Sequence, residues 1–139
     1  MIIEGKNDKL VRELMPYGKV LVVDDVCVNI EIVKLLLIPY ELQIDESESG
    51  FDAIDKINSG KEYDIIFMDN MMPKMDGYET TVKLRELGYN LPVVALSANK
   101  VAENEIGEDG FDEYLAKPIN IRELDDILNR YVRDKHKPS

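Results

Sequence analysis

The sequence predicts an α/β protein, a five-stranded parallel sheet doubly wound with helices on both faces. Short apolar runs recur as KVLVV (19–23), DIIFM (64–68), PVVAL (92–96) and EYLAK (113–117). The first three are continuous rather than alternating, as in strands covered on both faces. Helical patterns lie between the runs, and β-α repeated five times favours right-handed crossovers and a doubly wound sheet.

Each element has its own signal. LQIDES (42–47) alternates in polarity and fits an edge strand. A first helix is expected over Val28 to Leu37, burying Val28, Ile32, Leu35 and Leu36, with Asn29 and Lys34 turned elsewhere. Pro39 ends it. Ser49 with Asp52, Asp76 with Glu79, and Asn120 with Glu123 each pair a capping residue with an acid three positions on, and so open three further helices. Gly60 and Gly88 stand where helices stop. KVAENEIGEDG (100–110) has few apolar anchors and two close glycines, so a fourth helix in the repeat is expected to be short or mobile.

The 139 residues suit one domain, and 45% hydrophobic residues suffice for a single core. Acidic residues outnumber basic ones 28 to 17, a net charge of −11 that disfavours contact with phosphate backbones and anionic lipid. The lone Cys27 excludes an internal disulfide. Its place in an apolar stretch suggests a reduced, buried thiol and a cytoplasmic setting. No apolar segment approaches the roughly 20 residues of a membrane helix, and MIIEGKNDKL lacks the features of a signal peptide.

In doubly wound sheets, ligands bind beyond the carboxyl ends of the strands. The residues there are Asp24 and Asp25, Asp69, Ser97 and Lys117. Three clustered carboxylates repel unless a cation compensates. Mg²⁺ suits such oxygen ligands, and Lys117 adds a second positive charge. Together they fit a transferring phosphoryl group, with Ser97 hydrogen-bonding its oxygens and Asp69 as nucleophile.

VVDD (22–25), MDNMMPKMDG (68–77), LSAN (96–99) and YLAKP (114–118), in this order and spacing, resemble the receiver domain of two-component response regulators. The resemblance covers about Gly18 to Val132 and implies a flavodoxin-like sheet of order 2-1-3-4-5. It implies that Asp69 takes a phosphoryl group from phosphohistidine. Asp25 and Asp69 would bind Mg²⁺ directly, Asp24 through water, and the Met71 backbone carbonyl would complete the set. Lys117 and Ser97 would bind the phosphoryl oxygens, with Ser97 and Tyr114 as the switch pair and a Lys117–Pro118 bond that is often cis in the family. Met71 and Asn99 would flank the path of the water that hydrolyses the acyl-phosphate.

The front segment NDKLVRELMPYGKVLVVDD and MMPKMDGYE look most like the C-terminal receiver of a hybrid sensor histidine kinase. On that reading residues 1–17 are a connector, 18–133 the receiver and 134–139 a tail. The phosphodonor is a histidine kinase or a histidine phosphotransfer protein, and the domain is cytoplasmic, within a kinase that is itself membrane-anchored or not. In the connector, Leu10, Val11, Leu14 and Met15 fall at helical spacing before Pro16, which suits either a short packed turn or a frayed tail. His136 reads as an exposed tail residue, and Met71, Met72 and Met75 as flexible apolar packing.

Two departures from the family pattern stand out. Val26 replaces the Asn that usually follows the acidic pair, and the Ser97–Lys117 segment is short, which puts conventional dimerisation through the fourth helix in doubt. Three other functions are weighed against these residues. A haloacid-dehalogenase-type phosphatase needs an acid where Met71 stands. A pseudo-receiver, acting without phosphorylation, would be expected to lack one of the acidic pair, Asp69 or Lys117. A flavin-binding loop needs Ser, Thr or Gly where DDVCVN stands.

Overall fold

The computed structural model describes residues 10–136. Five parallel strands form one sheet of order β2-β1-β3-β4-β5. They are β1 (Lys19–Val23), β2 (Gln43–Ser47), β3 (Ile65–Asp69), β4 (Val93–Ser97) and β5 (Glu113–Ala116). β1, β3 and β4 are the near-continuous apolar runs, and β2 lies at one edge. β3 and β4 each run one residue further than the apolar pattern alone suggests, so Asp69 and Ser97 are themselves the last strand residues.

The α-helices are α1 (Cys27–Leu37), α2 (Gly50–Asn58), α3 (Gly77–Glu86) and α4 (Ile121–Leu128). Side chains that alternate along the strands build two cores. Val20, Val22, Ile65, Phe67, Val94, Leu96 and Leu115 pack under α1 and α4, whereas Leu21, Val23, Ile66, Met68, Val93 and Ala95 pack under α2 and α3.

The expected caps are present. Ser49 Oγ accepts from the Asp52 N–H, Asn120 Oδ1 from those of Arg122 and Glu123, and Asp76 and Glu79 form a reciprocal capping box. Gly60 and Gly88, with φ of 100° and 97°, turn the chain out of α2 and α3. After α1, Pro39 sits in a short 3₁₀ turn, Ile38–Tyr40.

Three expectations need correction. α1 buries Ile30, Val33 and Leu37 and partly buries Leu36, while Val28, Ile32 and Leu35 are 61%, 50% and 68% exposed. CVNIEIVKLLL carries two apolar stripes at helical spacing, and contact with the sheet selects the one through Ile30. Cys27 is exposed, because the first position of α1 lies off that stripe. Finally, the fourth β-α repeat is incomplete: between β4 and β5 the described chain's only helical segment is a 3₁₀ turn, Glu103–Glu105.

The linker still closes the second core. Val101 and Phe111 are buried in it. Arg85 of α3 then fastens the linker from outside the sheet. Its guanidinium donates to the carbonyls of Tyr89 (3.0 Å), Leu91 (2.7 Å) and Gly110 (2.9 Å) and to Asp112 (2.8 Å), while Asp112 also accepts from the Val93 N–H.

At the sheet's N-terminal edge, the ends of the described chain pack together. Met15 is fully buried and its N–H bonds the Tyr40 carbonyl, but residues 10–15 form no helix, and Val11 is 81% exposed. Residues 1–9 of the expected connector lie outside the described residues. Asp64 accepts from the Lys19 N–H and Lys135 Nζ and contacts His136 Nε2 at 3.1 Å. His136 also packs against the Tyr17 ring at a tilt of 50°. No helix among the described residues is long and apolar enough to cross a membrane.

Arg85→Met keeps the aliphatic stem but strands three carbonyls and the Asp112 carboxylate. It is expected to lower unfolding free energy by about 2–3 kcal/mol in urea denaturation, with the slope m unchanged.

Candidate functional site

The parallel register sets the strand ends side by side. β1 pairs with β3 through Val23 and Met68, β3 with β4 through Asp69 and Leu96, and β4 with β5 through Ser97 and Ala116. The residues that follow or close these strands therefore meet on one rim. Asp24 is 1% exposed and Asp69 5%, whereas Asp25 faces solvent. One oxygen from each lies within 4.8 Å of the others. Lys117 Nζ stands 3.1 Å from Asp69 Oδ1 and 3.5 Å from Asp24 Oδ2. Lys117 is itself held by its N–H, which donates to the Ser97 carbonyl, and a cis peptide bond joins it to Pro118.

Two local features fix the acids. The Asp24 N–H donates to the Ser47 carbonyl, and its side chain accepts from the Val26 N–H at 3.0 Å. Val26, at the N-cap of α1, supplies no side-chain acceptor to the helix. The departure from the family pattern thus leaves the first turn of α1 uncapped. On the other side, Gly77 lets α3 start against the backbone of Asp69 and Asn70, since a Cβ there would collide with the Asp69 carbonyl oxygen and Asn70 Cα.

Electrostatics single out Asp69. Burial pushes its carboxyl above the ordinary range and neighbouring Asp24 adds to the rise, while Lys117 and the Met71 N–H oppose it. One ammonium thus undercompensates two buried carboxylates and a third exposed one. An oxygen-rich, anionic donor set of this kind fits a hard divalent cation.

The remaining residues of interest surround this centre. Ser97 is 4% exposed, and its Oγ accepts from the Asn99 N–H at 3.2 Å. Tyr114 is half-buried on β5, paired with Ala95 and packed against the second core. Asn99 is exposed. Met71 is 70% exposed, in contrast to the expected packing role, whereas Met72 and Met75 are buried. A methionine triplet in sequence does not share one environment, because the loop turns between its members.

The sequence reading did not anticipate one contact beside the rim. Asn70, directly after Asp69, donates from Nδ2 to Glu105 Oε1 at 3.4 Å. The two lie 35 residues apart, and the motifs around them give no signal of a pairing across the linker. A cleft of about 460 Å³ at the opposite pole is lined by Tyr17, Tyr63, Asp64, Tyr89, Lys135 and His136. Asp64 there is already paired with Lys135, unlike the buried carboxylates at the rim.

Comparison with known proteins agrees with this geometry. A model of the response regulator receiver domain matches residues 20–129. The chain is 39% identical over 84% of its length to hybrid signal transduction histidine kinase L of Dictyostelium discoideum, and 40% over 81% to the osmosensing histidine protein kinase SLN1 of Saccharomyces cerevisiae. It spans only 7% and 10% of those two kinases. Among solved structures, it is 31% identical to the receiver domain of a Pseudomonas aeruginosa sensor histidine kinase, which has a magnesium ion coordinated in its active-site cleft. That match covers 84% of this chain and 98% of the other, with a TM-score of 0.71. With most of its length matched by these receivers, the chain belongs to the receiver-domain family of two-component response regulators.

Proposed function

We propose that this receiver accepts a phosphoryl group on Asp69 from the phosphohistidine of a kinase or phosphotransfer protein. The observation that carries the reading is the rim itself, where three carboxylate oxygens lie within 4.8 Å and Lys117 Nζ is 3.1 Å from Asp69. An Asp69 oxygen attacks phosphorus, the new P–O bond forms as the P–N bond breaks, and the leaving imidazole nitrogen keeps the electron pair. Lys117 holds the phosphoryl oxygens through its ammonium, and Ser97 donates its hydroxyl to them once it turns from Asn99. Asp24, Asp25, Asp69 and the Met71 carbonyl would hold Mg²⁺. Bound there, the ion neutralises charge on the transferring group. Water later cleaves the acyl-phosphate along the path between Met71 and Asn99. Ser97 and Tyr114 convey the change as a shift between two conformations.

The exposed stripe of Val28, Ile32 and Leu35 on α1 supports a protein donor. Contiguous apolar surface next to a polar site marks a contact face. By likeness to the hybrid kinases, we infer that residues 1–17 form the connector to a kinase in the same chain, 18–133 the receiver and 134–139 a tail, with this domain on the cytoplasmic side whether or not the kinase is membrane-anchored.

Incubation with acetyl phosphate and Mg²⁺ is expected to add one phosphate by intact mass, with no adduct in Asp69→Ala or without the metal. Absence of the adduct in folded wild type would instead support a phosphorylation-independent interaction module. Met71→Asn, which trades a bulky side chain beside the water path for a small polar one, is expected to shorten the acyl-phosphate half-life by at least about threefold. Equal half-lives would remove Met71 from that role.

The raised pKa of Asp69 has a further consequence. A carboxyl whose folded pKa exceeds its unfolded value destabilises the fold once ionised. Its favourable contribution is full below the unfolded pKa and is lost as pH rises through the folded one. In metal-free buffer at pH 7, Asp69→Asn is therefore expected to melt several degrees above wild type. The gap should close as pH falls towards about 4, the unfolded carboxylate range. A gap independent of pH would contradict this account.

A further inference from the structure

We infer that Glu105 is a positioning residue for the phosphoacceptor loop, holding Asn70 and thereby the backbone of Met71 from the linker that stands where a helix is expected. The inference rests on the receiver chemistry proposed above and adds a residue to it. Asn70 is pinned by its backbone on both sides: its N–H donates to the Leu96 carbonyl and its carbonyl accepts from the Gly77 N–H. Its side chain is not. Oδ1 is buried without a hydrogen-bond partner, and Nδ2 reaches Glu105 Oε1 at 3.4 Å. Turning the amide over would set Oδ1 against a carboxylate, so the charge on Glu105 selects one orientation.

Glu105 is in turn presented from a stiff frame. Its N–H bonds the Ala102 carbonyl at 3.0 Å and its carbonyl accepts from Phe111 at 2.8 Å. Phe111 is fully buried, and Gly110 packs so tightly that a Cβ there would collide with the Glu105 carbonyl. Arg85 anchors Gly110 from α3. A carboxylate on such a support orients its partner with little conformational freedom left to lose. The residue after Asn70 is Met71, whose N–H bonds Asp69 and whose carbonyl is the one proposed above to hold the metal. Glu105 thus fixes the strand-to-loop exit from which the Asp69 environment is built, and it ties the linker to that exit.

The test uses the full chain with Glu105→Ala, Glu105→Gln, Asn70→Ala and the Glu105→Ala/Asn70→Ala double variant. Mg²⁺ affinity by calorimetry and acyl-phosphate half-life are the readouts, with melting temperature recorded alongside. Glu105→Ala is expected to weaken Mg²⁺ binding by about threefold or more and to change the half-life. Glu105→Gln, which keeps an acceptor oxygen, should stay within about twofold of wild type, and the double variant should be no worse than either single one. Wild-type values in Glu105→Ala, or additive single effects, would overturn the inference while leaving the receiver reading intact. A wild type that binds neither Mg²⁺ nor phosphate would overturn both.

Discussion

The burial of Asp24 beside Asp69 is the constraint around which the rest of the structure is arranged. Each is at least 95% withdrawn from solvent, and a single half-exposed ammonium answers both. Such an arrangement is unfavourable in isolation, since desolvating carboxylates costs several kcal/mol apiece before any pairing is counted. Only a rigid surround sustains it. The parallel register provides that surround. The β1 and β3 ends are locked by Ser47 and Leu96, and Lys117 is held at the end of β5 by the Ser97 carbonyl. The apolar strands therefore serve the site directly, because any slip between β1 and β3 would part the two acids.

Much of this was legible in the sequence, for identifiable reasons. Continuous apolar runs marked doubly covered strands, and side-chain caps marked three helix starts, because both signals are local. The rim residues Asp24, Asp25, Asp69, Ser97 and Lys117 followed from strand ends, and a parallel sheet brings all such ends to one side. The buried face of α1 was not legible. Its sequence offers Val28, Ile32 and Leu35 as readily as Ile30, Val33 and Leu37, and only the sheet decides between them. The same ambiguity misplaced Cys27. Arg85 and Glu105 were hidden for another reason: their partners are backbone carbonyls and a distant amide, which leave no periodic or motif signature.

The missing helix between β4 and β5 shows how a face can be closed with little chain. Val101 and Phe111 supply the apolar volume, while Gly110 permits the close approach that brings Phe111 home. Arg85 then satisfies the linker's Gly110 carbonyl, along with those of Tyr89 and Leu91 just before β4. One multidentate side chain thus ties the end of the linker to the connection between α3 and β4. The missing helix also changes what the linker can do, for its turn at Glu103–Glu105 now lies directly against the residue after Asp69 instead of being screened by a helical layer.

The two carboxylates that bracket β3 show how one strand can carry opposite electrostatic roles. Asp64 precedes β3, and burial opposes its ionisation. Lys135, the Lys19 N–H and His136 together outweigh that burial and hold its carboxyl below the ordinary range. Asp69 ends the same strand under similar burial with fewer donors and an acidic neighbour, and its carboxyl is held above that range. The first is an ion whose charge is already answered, which suits an anchor for the chain ends at Tyr17 and His136. The second gains from any added positive charge, and it is the one placed where ligands of a parallel sheet bind. The contrast lies in the donors supplied and in the acidic neighbour that only Asp69 has. Reactivity at the rim and stability at the opposite pole are thus set by the same physical term, applied with different numbers of partners.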